Sequence, residues 1–379
     1  MSESVVLVTV EDIARAYDFG SSHPLRPERV LLTYEHIRAL DLLYRPNVRR
    51  EKSREATDDE IAAAHDRDFI ETVKGIDSGS LSESHGLPFG LGTPDDPIFD
   101  HMHAASAAVC GASLVAAEEV ASGRAQHSFN PAGGLHHARR REASGFCIYN
   151  DPAVAIAKVL DLHPDWRVAY IDVDVHHGDG VQWIFYDEPR VLTISFHQSG
   201  RYLYPGTGFE DEIGTGVAEG TAANIPLLPF SGEGDYMWAL ERVLTELLGA
   251  FRPHLVVTQL GADTHHGDPL ANLALTMTAY PRMARTLHEL IHRYAENGRW
   301  VATGGGGYQF DTIVPKVWTI HWAEMIGAPE LIPSNWLHDV SPDEASRSYL
   351  AEVEQSVGKV LESCVPRLEA IAGRTGGPG

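Results

Sequence analysis

Short apolar runs rich in β-branched residues recur along the chain, with helical stretches between them. The apolar runs are VVLVTV near the start, WRVAYIDVDV at 166–175, RVLTISFH at 190–197, HLVVTQLGAD at 254–263 and RWVATGGGG at 299–307. Helical patterns extend from His101 to Val120 and from Pro281 to Tyr294. Strands that alternate with helices are typical of a mostly parallel sheet. The pattern therefore predicts an α/β fold with helices on both faces of a central sheet.

No repeat or low-complexity linker interrupts this pattern, so a single domain over residues 1–372 is the simplest interpretation. The Gly/Pro-rich residues 373–379 are expected to form a flexible tail. A chain of 379 residues with 43% hydrophobic residues is long enough to bury a large core. The N-terminus lacks a basic region and no apolar run approaches membrane-spanning length, so we expect a cytoplasmic protein that no membrane segment anchors.

The charge balance is strongly acidic, with 30 Lys and Arg against 53 Asp and Glu and a formal net charge of -23. Such a charge repels phosphate backbones and anionic membranes, so neither nucleic acid nor a membrane is an expected partner, whereas cationic partners are favoured. The cysteines, Cys110, Cys147 and Cys364, show no C-x-x-C spacing. Neither a disulfide framework nor a thiolate zinc site is therefore indicated, and a reducing compartment fits. The sequence leaves the oligomeric state open.

The segment IDVDVHHGDG, residues 171–180, carries Asp172, Asp174 and His176 at alternate positions near the end of an apolar run. Alternate residues of a strand lie on one face, so we interpret these three side chains as neighbours. Two carboxylates and an imidazole at one desolvated strand end are unfavourable unless a cation joins them. This favours a metal site over a solvated loop or a structural salt bridge.

Another apolar run ends on Asp263, which either completes the same site from a neighbouring strand or caps a helix. Asp174, His176 and Asp263 together offer one nitrogen and two oxygen donors. Three protein ligands leave positions for water and substrate, which is typical of a catalytic zinc ion. Fe²⁺ or Co²⁺ fits the same ligands, and the sequence does not choose between these metals.

Hydrolysis also needs a base and an acid, and GGLHHARRREASGF at 133–146 supplies His136 and His137. A His-His pair on its own is more often structural or exposed. Asp172 and Asp179 remain available, however, as partners that orient and polarise these imidazoles. We therefore interpret the pair as candidate acid and base. The pair His265-His266 follows Asp263 and is interpreted as rim or surface residues rather than catalytic ones.

The segment GGGGY at 304–308 lacks the Lys-Ser/Thr that ends a phosphate-binding loop. We interpret the four glycines as a tight backbone path that directs Tyr308 inward. A phenol in that position stabilises a developing oxyanion, although Tyr308 alone also fits an ordinary loop aromatic.

Together these segments resemble the histone deacetylase superfamily, and most closely its bacterial acetoin-utilization deacetylase branch. The resemblance extends from HPLRPERV at 23–30 to GGGGY at 304–308, with the motifs in family order. It implies the single-domain arginase/deacetylase fold and a zinc-dependent amidohydrolase. The implied reaction removes acetyl or other short acyl groups from lysine side chains of acetylated proteins or peptides. The alternative substrate is a small acetylated amine such as an acetylpolyamine.

The resemblance also implies a role for each motif residue. It makes Asp174, His176 and Asp263 the zinc ligands and Tyr308 the carbonyl-polarising tyrosine. It pairs His136 with Asp172 and His137 with Asp179. In these pairs His137 is the general base, and His136 is an electrostatic aid or acid.

Two further features follow from the resemblance, a substrate tunnel and a second ion. Substrate-binding positions on the tunnel wall and rim are Asp95, with Asp96 as the alternative, Gly145, Phe146, Tyr204 and Leu270. A structural potassium ion would involve Asp172, Asp174, His176, Ser195 and Phe196, partly through backbone carbonyls. Many relatives have Phe where this chain has Tyr204, so we expect an altered acyl or peptide preference.

Other classes fit less well. Two-manganese ureohydrolases typically show Asp-x-His-x-Asp, whereas Gly178 occupies the last of these positions and Asp179 follows it. A non-catalytic acyl-lysine reader predicts the loss of a ligand or of Tyr308, and all are present. A serine hydrolase is disfavoured because the sequence contains no G-x-S-x-G elbow.

Overall fold

The computed structural model describes residues 4–339 and 346–374, and in these residues eight parallel strands form one sheet. The strand order is β2-β1-β3-β8-β7-β4-β5-β6. The strands are β1 Val5–Thr9, β2 Val48–Lys52, β3 His127–Asn130, β4 Val168–Asp172, β5 Val191–Gln198, β6 Ala222–Leu227, β7 Leu255–Gln259 and β8 Trp300–Thr303. The predicted α/β fold is confirmed, and every strand pair is parallel.

Helices flank this sheet as predicted. The α-helices are α1 Glu11–Ala16, α2 Glu28–Ala39, α3 Asp58–Ile61, α4 Arg67–Asp77, α5 Met102–Ala121, α6 Asp151–Leu162, α7 Asp179–Ile184, α8 Glu233–Phe251, α9 Ala279–Tyr294, α10 Val314–Met325 and α11 Leu350–Arg374. Short 3₁₀ helices are Glu83–His85, Leu87–Phe89, Gly216–Ala218, Glu296–Gly298, Pro329–Leu331 and Ser334–Trp336. The predicted tail begins inside α11, and its residues 375–379 lie outside the described part of the chain.

The carboxyl ends of the central strands lie in register. Thr303 of β8 pairs with Asn130 of β3 on one side and with Gln259 of β7 on the other. Gln259 in turn pairs with Asp172 of β4. Since all these strands are parallel, the loops that follow them leave the same edge of the sheet side by side. Binding sites of open α/β sheets form at such edges, where neighbouring strands come from distant parts of the chain.

Helix α5 is the main apolar helix of the core and contacts α6, β1 and β3. By length and composition α5 is apolar enough to cross a membrane, which corrects the expectation that no run approaches that length. Of its apolar 18-residue window, however, 83% is buried inside the protein. Ala107 on this helix accepts a hydrogen bond from the backbone of Ala56 at 2.9 Å, so the helix and the chain beside it are in close contact. α5 is therefore a buried layer of the fold.

This close contact predicts a strong effect of substitution at Gly111 in the middle of α5. A Cβ atom on Gly111 would lie 1.8 Å from the backbone oxygen of Arg54, and backbone cannot move aside cheaply. We expect Gly111→Ala to destabilise the protein by about 3 kcal/mol, measured by urea denaturation. The matched control is Gly358→Ala in α11, where nothing lies within 4 Å of the added Cβ, and a gain of about 0.5–1 kcal/mol is expected. Equal stabilities for the two variants would contradict this packing.

Candidate active site

Four loops at the carboxyl edge of the sheet carry most of the predicted site residues. They follow β3, β4, β7 and β8, which are neighbours in the sheet. The predicted residues on these loops are His136, His137, Gly145 and Phe146 after β3, Asp174 and His176 after β4, Asp263 and Leu270 after β7, and Tyr308 after β8. The register of the strand ends brings these distant parts of the sequence together.

Asp174, His176 and Asp263 form a buried cluster, as the sequence predicted. His176 Nδ1 lies 3.1 Å from Asp174 Oδ1 and 3.2 Å from Asp263 Oδ2. The predicted means of assembly was wrong, because β4 ends at Asp172 and strand alternation does not continue to His176. Instead a tight loop turns the side chains together, with the His176 backbone donating to Asp174 Oδ1 at 3.0 Å.

The second oxygen of each carboxylate is held by the protein. Asp174 Oδ2 accepts hydrogen bonds from Gln259 Nε2 at 2.6 Å and from the Gly306 backbone at 2.7 Å. Asp263 Oδ1 accepts from the backbone of Val175 at 2.9 Å. Each carboxylate therefore presents its remaining oxygen to His176 in a fixed orientation, which is how outer partners orient metal ligands.

The two carboxylates of this cluster differ in their affinity for a proton, and together they suit a divalent cation. Burial and the neighbouring Asp174 carboxylate raise the pKa of Asp263. Burial acts to raise the pKa of Asp174 as well, but the facing imidazoles of His136 and His176 outweigh it, so the pKa falls. Two adjacent buried carboxylates do not both ionise readily. A bound cation removes this conflict, and one nitrogen with two oxygens is a suitable donor set for zinc.

Glycine at position 306 allows the β8 loop to approach these ligands. A Cβ atom there would lie 2.1 Å from Asp263 Oδ2 and 2.6 Å from Asp174 Oδ2. The predicted tight path of the GGGGY segment thus has a specific cause, which is close contact between backbone and carboxylates. Only Gly307 of the four glycines has a positive φ, +127°.

Two histidine–aspartate pairs lie beside the cluster with the predicted partners. His136 Nδ1 is 2.7 Å from Asp172 Oδ2, and His137 Nδ1 is 2.7 Å from Asp179 Oδ1. The carboxylates are acceptors, so each Nδ1 carries a proton and donates it. The two Nε2 atoms lie 3.1 Å apart and face the site.

The two imidazoles differ in their affinity for a proton. Burial lowers the pKa of His136, but the carboxylates of Asp172 and Asp174 outweigh it and raise the pKa to about 9. Burial and the neighbouring His136 lower the pKa of His137 to about 4, although Asp179 opposes this. One imidazole therefore holds a second proton readily while the other resists it, which is a common arrangement for an acid and a base.

The partners of these aspartates were not predicted. Tyr170 donates its hydroxyl to Asp172 Oδ2 at 2.7 Å, and Arg139 donates to Asp179 Oδ2 at 3.0 Å. The partner Tyr170 follows a readable pattern, because it precedes Asp172 by one strand repeat, whereas Arg139 does not. An arginine in a run of three gave no sign of which guanidinium turns inward.

Tyr308 lies close to the cluster, and its backbone is held by Asp268. The Tyr308 N–H donates to Asp268 Oδ2 at 2.8 Å, and Asp268 Oδ1 accepts from the backbone of Leu270 at 2.9 Å. The Tyr308 ring has an edge contact with His176 at 6.4 Å between centroids and with Phe146 at 5.7 Å. Asp268 was missed by the sequence interpretation, although it follows Asp263 in the same loop.

Gly145 and Phe146 form a tight turn in which both residues have positive φ, +54° and +71°. A Cβ atom on Gly145 would lie 2.4 Å from Cδ2 of His137, so glycine is needed for this close contact. The Phe146 ring also has an edge contact with His23, whose Nε2 lies 3.2 Å from the backbone oxygen of Asp95. His23 therefore connects the backbone of Asp95 to the Phe146 ring.

The other wall and rim positions are more exposed. Tyr204 is 42% exposed, and its ring has an edge contact with His137 at 5.1 Å, while Leu270 is 36% exposed. The Tyr204 hydroxyl is hydrogen-bonded to Ser144, so the group that distinguishes it from phenylalanine already has a partner. Asp95 is exposed, whereas the alternative Asp96 is buried. Of these two residues, only Asp95 offers its carboxylate to solvent.

The residues of the predicted potassium site also lie together. Ser195 on β5 is in register with Asp172 at the end of β4, and Phe196 is the next residue of β5. Ser195 Oγ accepts a hydrogen bond from the Gly178 backbone at 3.4 Å. Asp174 and His176 follow Asp172 in the adjoining loop.

The pair His265-His266 differs from its surface interpretation, since His265 is only 4% exposed. Its Nε2 lies 2.7 Å from Asp339 Oδ2, and His266 Nε2 lies 3.1 Å from the same oxygen. Gly267 donates its backbone N–H to His265 Nδ1 at 3.1 Å, so the proton of the neutral ring is on Nε2 and is donated to Asp339. The pair therefore anchors the β7 loop to the chain near Asp339.

A buried cation below the site, Arg29, was also not singled out from the sequence. Its guanidinium donates to the backbone oxygen of Gly305 at 2.6 Å and lies over the Trp318 ring at 5.2 Å. Together with Leu135 and Tyr308 it lines a small cavity. Arg29 holds the glycine segment in place from beneath.

Comparison with known proteins agrees with this geometry. The histone deacetylase domain family matches residues 23–325. The acetoin utilization protein AcuC of Bacillus subtilis is 42% identical over 325 residues, which cover 85% of this chain and 83% of that protein. AcuC of Staphylococcus aureus is 34% identical over the same share of this chain and 82% of its own length.

Solved structures give the same likeness. The crystal structure of an HDAC homologue from Aquifex aeolicus matches with a TM-score of 0.82 at 31% identity, covering 95% of this chain and 100% of that chain. The crystal structure of an HDAC homologue complexed with SAHA matches with a TM-score of 0.81 at 30% identity and the same coverage.

Proposed function

Because the chain belongs to the histone deacetylase family, we propose that it is a zinc-dependent hydrolase that removes acetyl or other short acyl groups from lysine side chains of proteins. Its relatives in that family include bacterial acetoin utilization proteins. We further propose that it works in the cytoplasm of a bacterium, in the same physiological context as these relatives.

One observation carries the proposal, namely that a three-ligand metal cluster, two His–Asp pairs and a tyrosine meet at one sheet edge. Asp174, His176 and Asp263 offer their ligand atoms within 4.8 Å of one another. His137 has a ring contact with His176 at 5.8 Å between centroids, and Tyr308 contacts the same imidazole from another loop. These are the groups that amide hydrolysis requires, a Lewis acid site, a base, an acid and an oxyanion donor.

Asp174, His176 and Asp263 would hold a zinc ion, which would supply Lewis acidity to lower the pKa of water and polarise the acyl carbonyl. The same three ligands would also suit Fe²⁺ or Co²⁺. A potassium ion at Asp172, Asp174, His176, Ser195 and Phe196 would serve the structure of the same strand ends.

The protein residues then move the protons. His137 Nε2 carries no proton when Nδ1 donates to Asp179, so it accepts the proton of the attacking water. Burial and the carboxylates of Asp263 and Asp174 raise the pKa of Tyr308, which keeps the phenol protonated as a donor to the developing oxyanion. A protonated imidazole of the His136-His137 pair donates to the lysine nitrogen as the C–N bond breaks, giving acetate and free lysine.

The residues at the rim favour a substrate that enters as a lysine side chain. Phe146 and Tyr204 are aromatic walls on two separate loops, a suitable lining for the apolar stem of lysine. Asp95 offers an exposed carboxylate at the rim, and we propose that it accepts hydrogen bonds from the substrate backbone.

A small acetylated amine is the second candidate because of the charge of the protein. A formal net charge of -23 attracts a polyamine as effectively as it attracts a lysine-rich peptide. The two candidates differ in whether substrate backbone contributes to recognition.

Removal of one ligand is the first test. Asp263→Ala is expected to lose one zinc equivalent relative to the wild-type protein, with zinc affinity at the active centre lowered by more than about 100-fold. Metal content after dialysis against a weak chelator gives the measurement. Asp95→Asn at the exposed rim is the control and keeps its zinc. An undiminished zinc content in Asp263→Ala would exclude this residue as a ligand.

The tyrosine is tested separately. Tyr308→Phe is expected to lower kcat by about 10²–10³ while KM and zinc content stay close to those of the wild type, because one oxyanion donor is lost. Steady-state kinetics on an acetyl-lysine peptide give both constants. Tyr44→Phe, at a residue that is 67% exposed, is the matched control. Turnover near the wild-type rate in Tyr308→Phe would rule out the proposed role.

Substrate class is decided by direct competition between the two candidates. The zinc-loaded protein is given an acetyl-lysine peptide and acetylated polyamines in parallel, with a chelator control. We expect chelator-sensitive hydrolysis and a kcat/KM at least about ten-fold higher for the peptide, since backbone contacts add binding energy. The opposite ratio would identify a small-amine deacetylase, and cleavage of neither substrate would contradict the proposed reaction.

A further inference from the structure

A second histidine cluster lies at the opposite edge of the sheet from the candidate active site. It consists of His127, the first residue of β3, with His288 and His292 of α9. Strand β3 runs from this cluster toward the active-site loops, and its four residues separate the two edges by roughly 10 Å or more. The residues of the active site have no part in this cluster.

The three imidazoles converge through their Nε2 atoms. His292 Nε2 lies 2.9 Å from His127 Nε2 and 3.1 Å from His288 Nε2. All three ligand atoms are within 4.8 Å of one another. Two nitrogens bound at about 2.0 Å to a tetrahedral zinc ion lie roughly 3.3 Å apart. The observed spacing is thus close to that of three ligands on one metal ion.

Two of the other ring nitrogens, on His127 and His288, face acceptors of the kind that orient metal-bound histidines. His127 Nδ1 lies 3.1 Å from the backbone oxygen of Met325, and His288 Nδ1 lies 3.6 Å from Glu324 Oε1. Both partners are acceptors at the end of α10. A metal-bound imidazole commonly donates its free N–H to such a carbonyl or carboxylate, which fixes the ring and its tautomer.

Proton positions support the same conclusion. A carbonyl only accepts, so His127 donates from Nδ1 and its Nε2 presents a lone pair to the cluster. His292 Nε2 faces two imidazole nitrogens but offers them at most one proton.

The sequence on α9 has the spacing that this chemistry requires. His288 and His292 are four residues apart and share one face of the helix. They form the pattern His-Glu-x-x-His, which supplies two zinc ligands in metallopeptidases. Glu289, the residue that acts as base in that pattern, is exposed here. The pattern therefore indicates metal binding rather than peptide hydrolysis.

We propose that His127, His288 and His292 bind a second transition-metal ion, Zn²⁺ in the first instance, through their Nε2 atoms. Three imidazoles select metals such as Zn²⁺ over Mg²⁺ or Ca²⁺. The ion joins β3 to α9, and the outer contacts of the ligands extend the connection to α10. The proposed site does not depend on the proposed deacylation.

The test counts metal ions and does not rely on activity. Chelator-stripped protein is titrated with Zn²⁺, and bound metal is measured with the melting temperature. Expected zinc contents are two equivalents for the wild type, one for Asp263→Ala, one for His292→Ala and none for the double variant. Zinc should raise the Tm of Asp263→Ala and leave the Tm of the double variant unchanged. His85→Asn, at an exposed residue, is the control and keeps both equivalents.

A second variant and a spectroscopic probe cover the case in which His292→Ala does not fold. Glu324→Gln keeps all three ligands and is expected to weaken zinc binding at this site by about 10- to 100-fold. Co²⁺ bound to Asp263→Ala should give the visible absorption of tetrahedral cobalt, and Glu324→Gln in that background should shift the titration to higher Co²⁺ concentration.

The outcomes separate this site from the active centre. If His292→Ala and Glu324→Gln bind zinc as the wild type does, or if stripped Asp263→Ala binds none, the proposal is wrong. If instead Asp263→Ala keeps two equivalents while His292→Ala loses one, the second site stands and the proposed ligand set of the active centre fails.

Discussion

Two desolvated carboxylates that share one imidazole nitrogen are the constraint on which the site depends. Asp174 and Asp263 lie on either side of His176, and burial makes the ionisation of both carboxylates costly without a cation. The protein nevertheless holds them there, through Gln259 and Gly306 on one carboxylate and the backbone of Val175 on the other. The free energy of folding offsets the cost of holding the two carboxylates together. The parallel strands of the sheet end in register below them.

The two histidine–aspartate pairs are likewise held in place by further hydrogen bonds from the protein. Each imidazole is fixed by one carboxylate, and each carboxylate is fixed by a further donor, Tyr170 for Asp172 and Arg139 for Asp179. Orientation is thus passed from the rigid sheet to the reactive atoms through short hydrogen bonds. The opposite edge of the sheet shows the same device, since the carbonyl of Met325 orients His127.

Much of the fold and of the candidate site could be predicted because the relevant signals are local. Apolar runs identified five of the eight strands and missed β2, β3 and β6. β2 is a polar edge strand, and polar residues or proline interrupt the apolar pattern of β3, HSFN, and β6, AANIPL. The pairing of His136 with Asp172 came from resemblance to a known family. Gln259 and Asp268 could not be recognised, because their roles depend on where a loop turns and which backbone N–H groups it presents.

The distribution of the rim over separate loops has a consequence for how such an enzyme diversifies. Asp95, Tyr204 and Leu270 come from three segments that are far apart in the sequence, and none of them belongs to a strand. Insertion or exchange in one segment can therefore reshape the entrance while the other two, and the reactive groups below, keep their positions. The architecture separates evolvability of the entrance from conservation of the chemistry, so new acylated substrates can be acquired by changing one loop at a time.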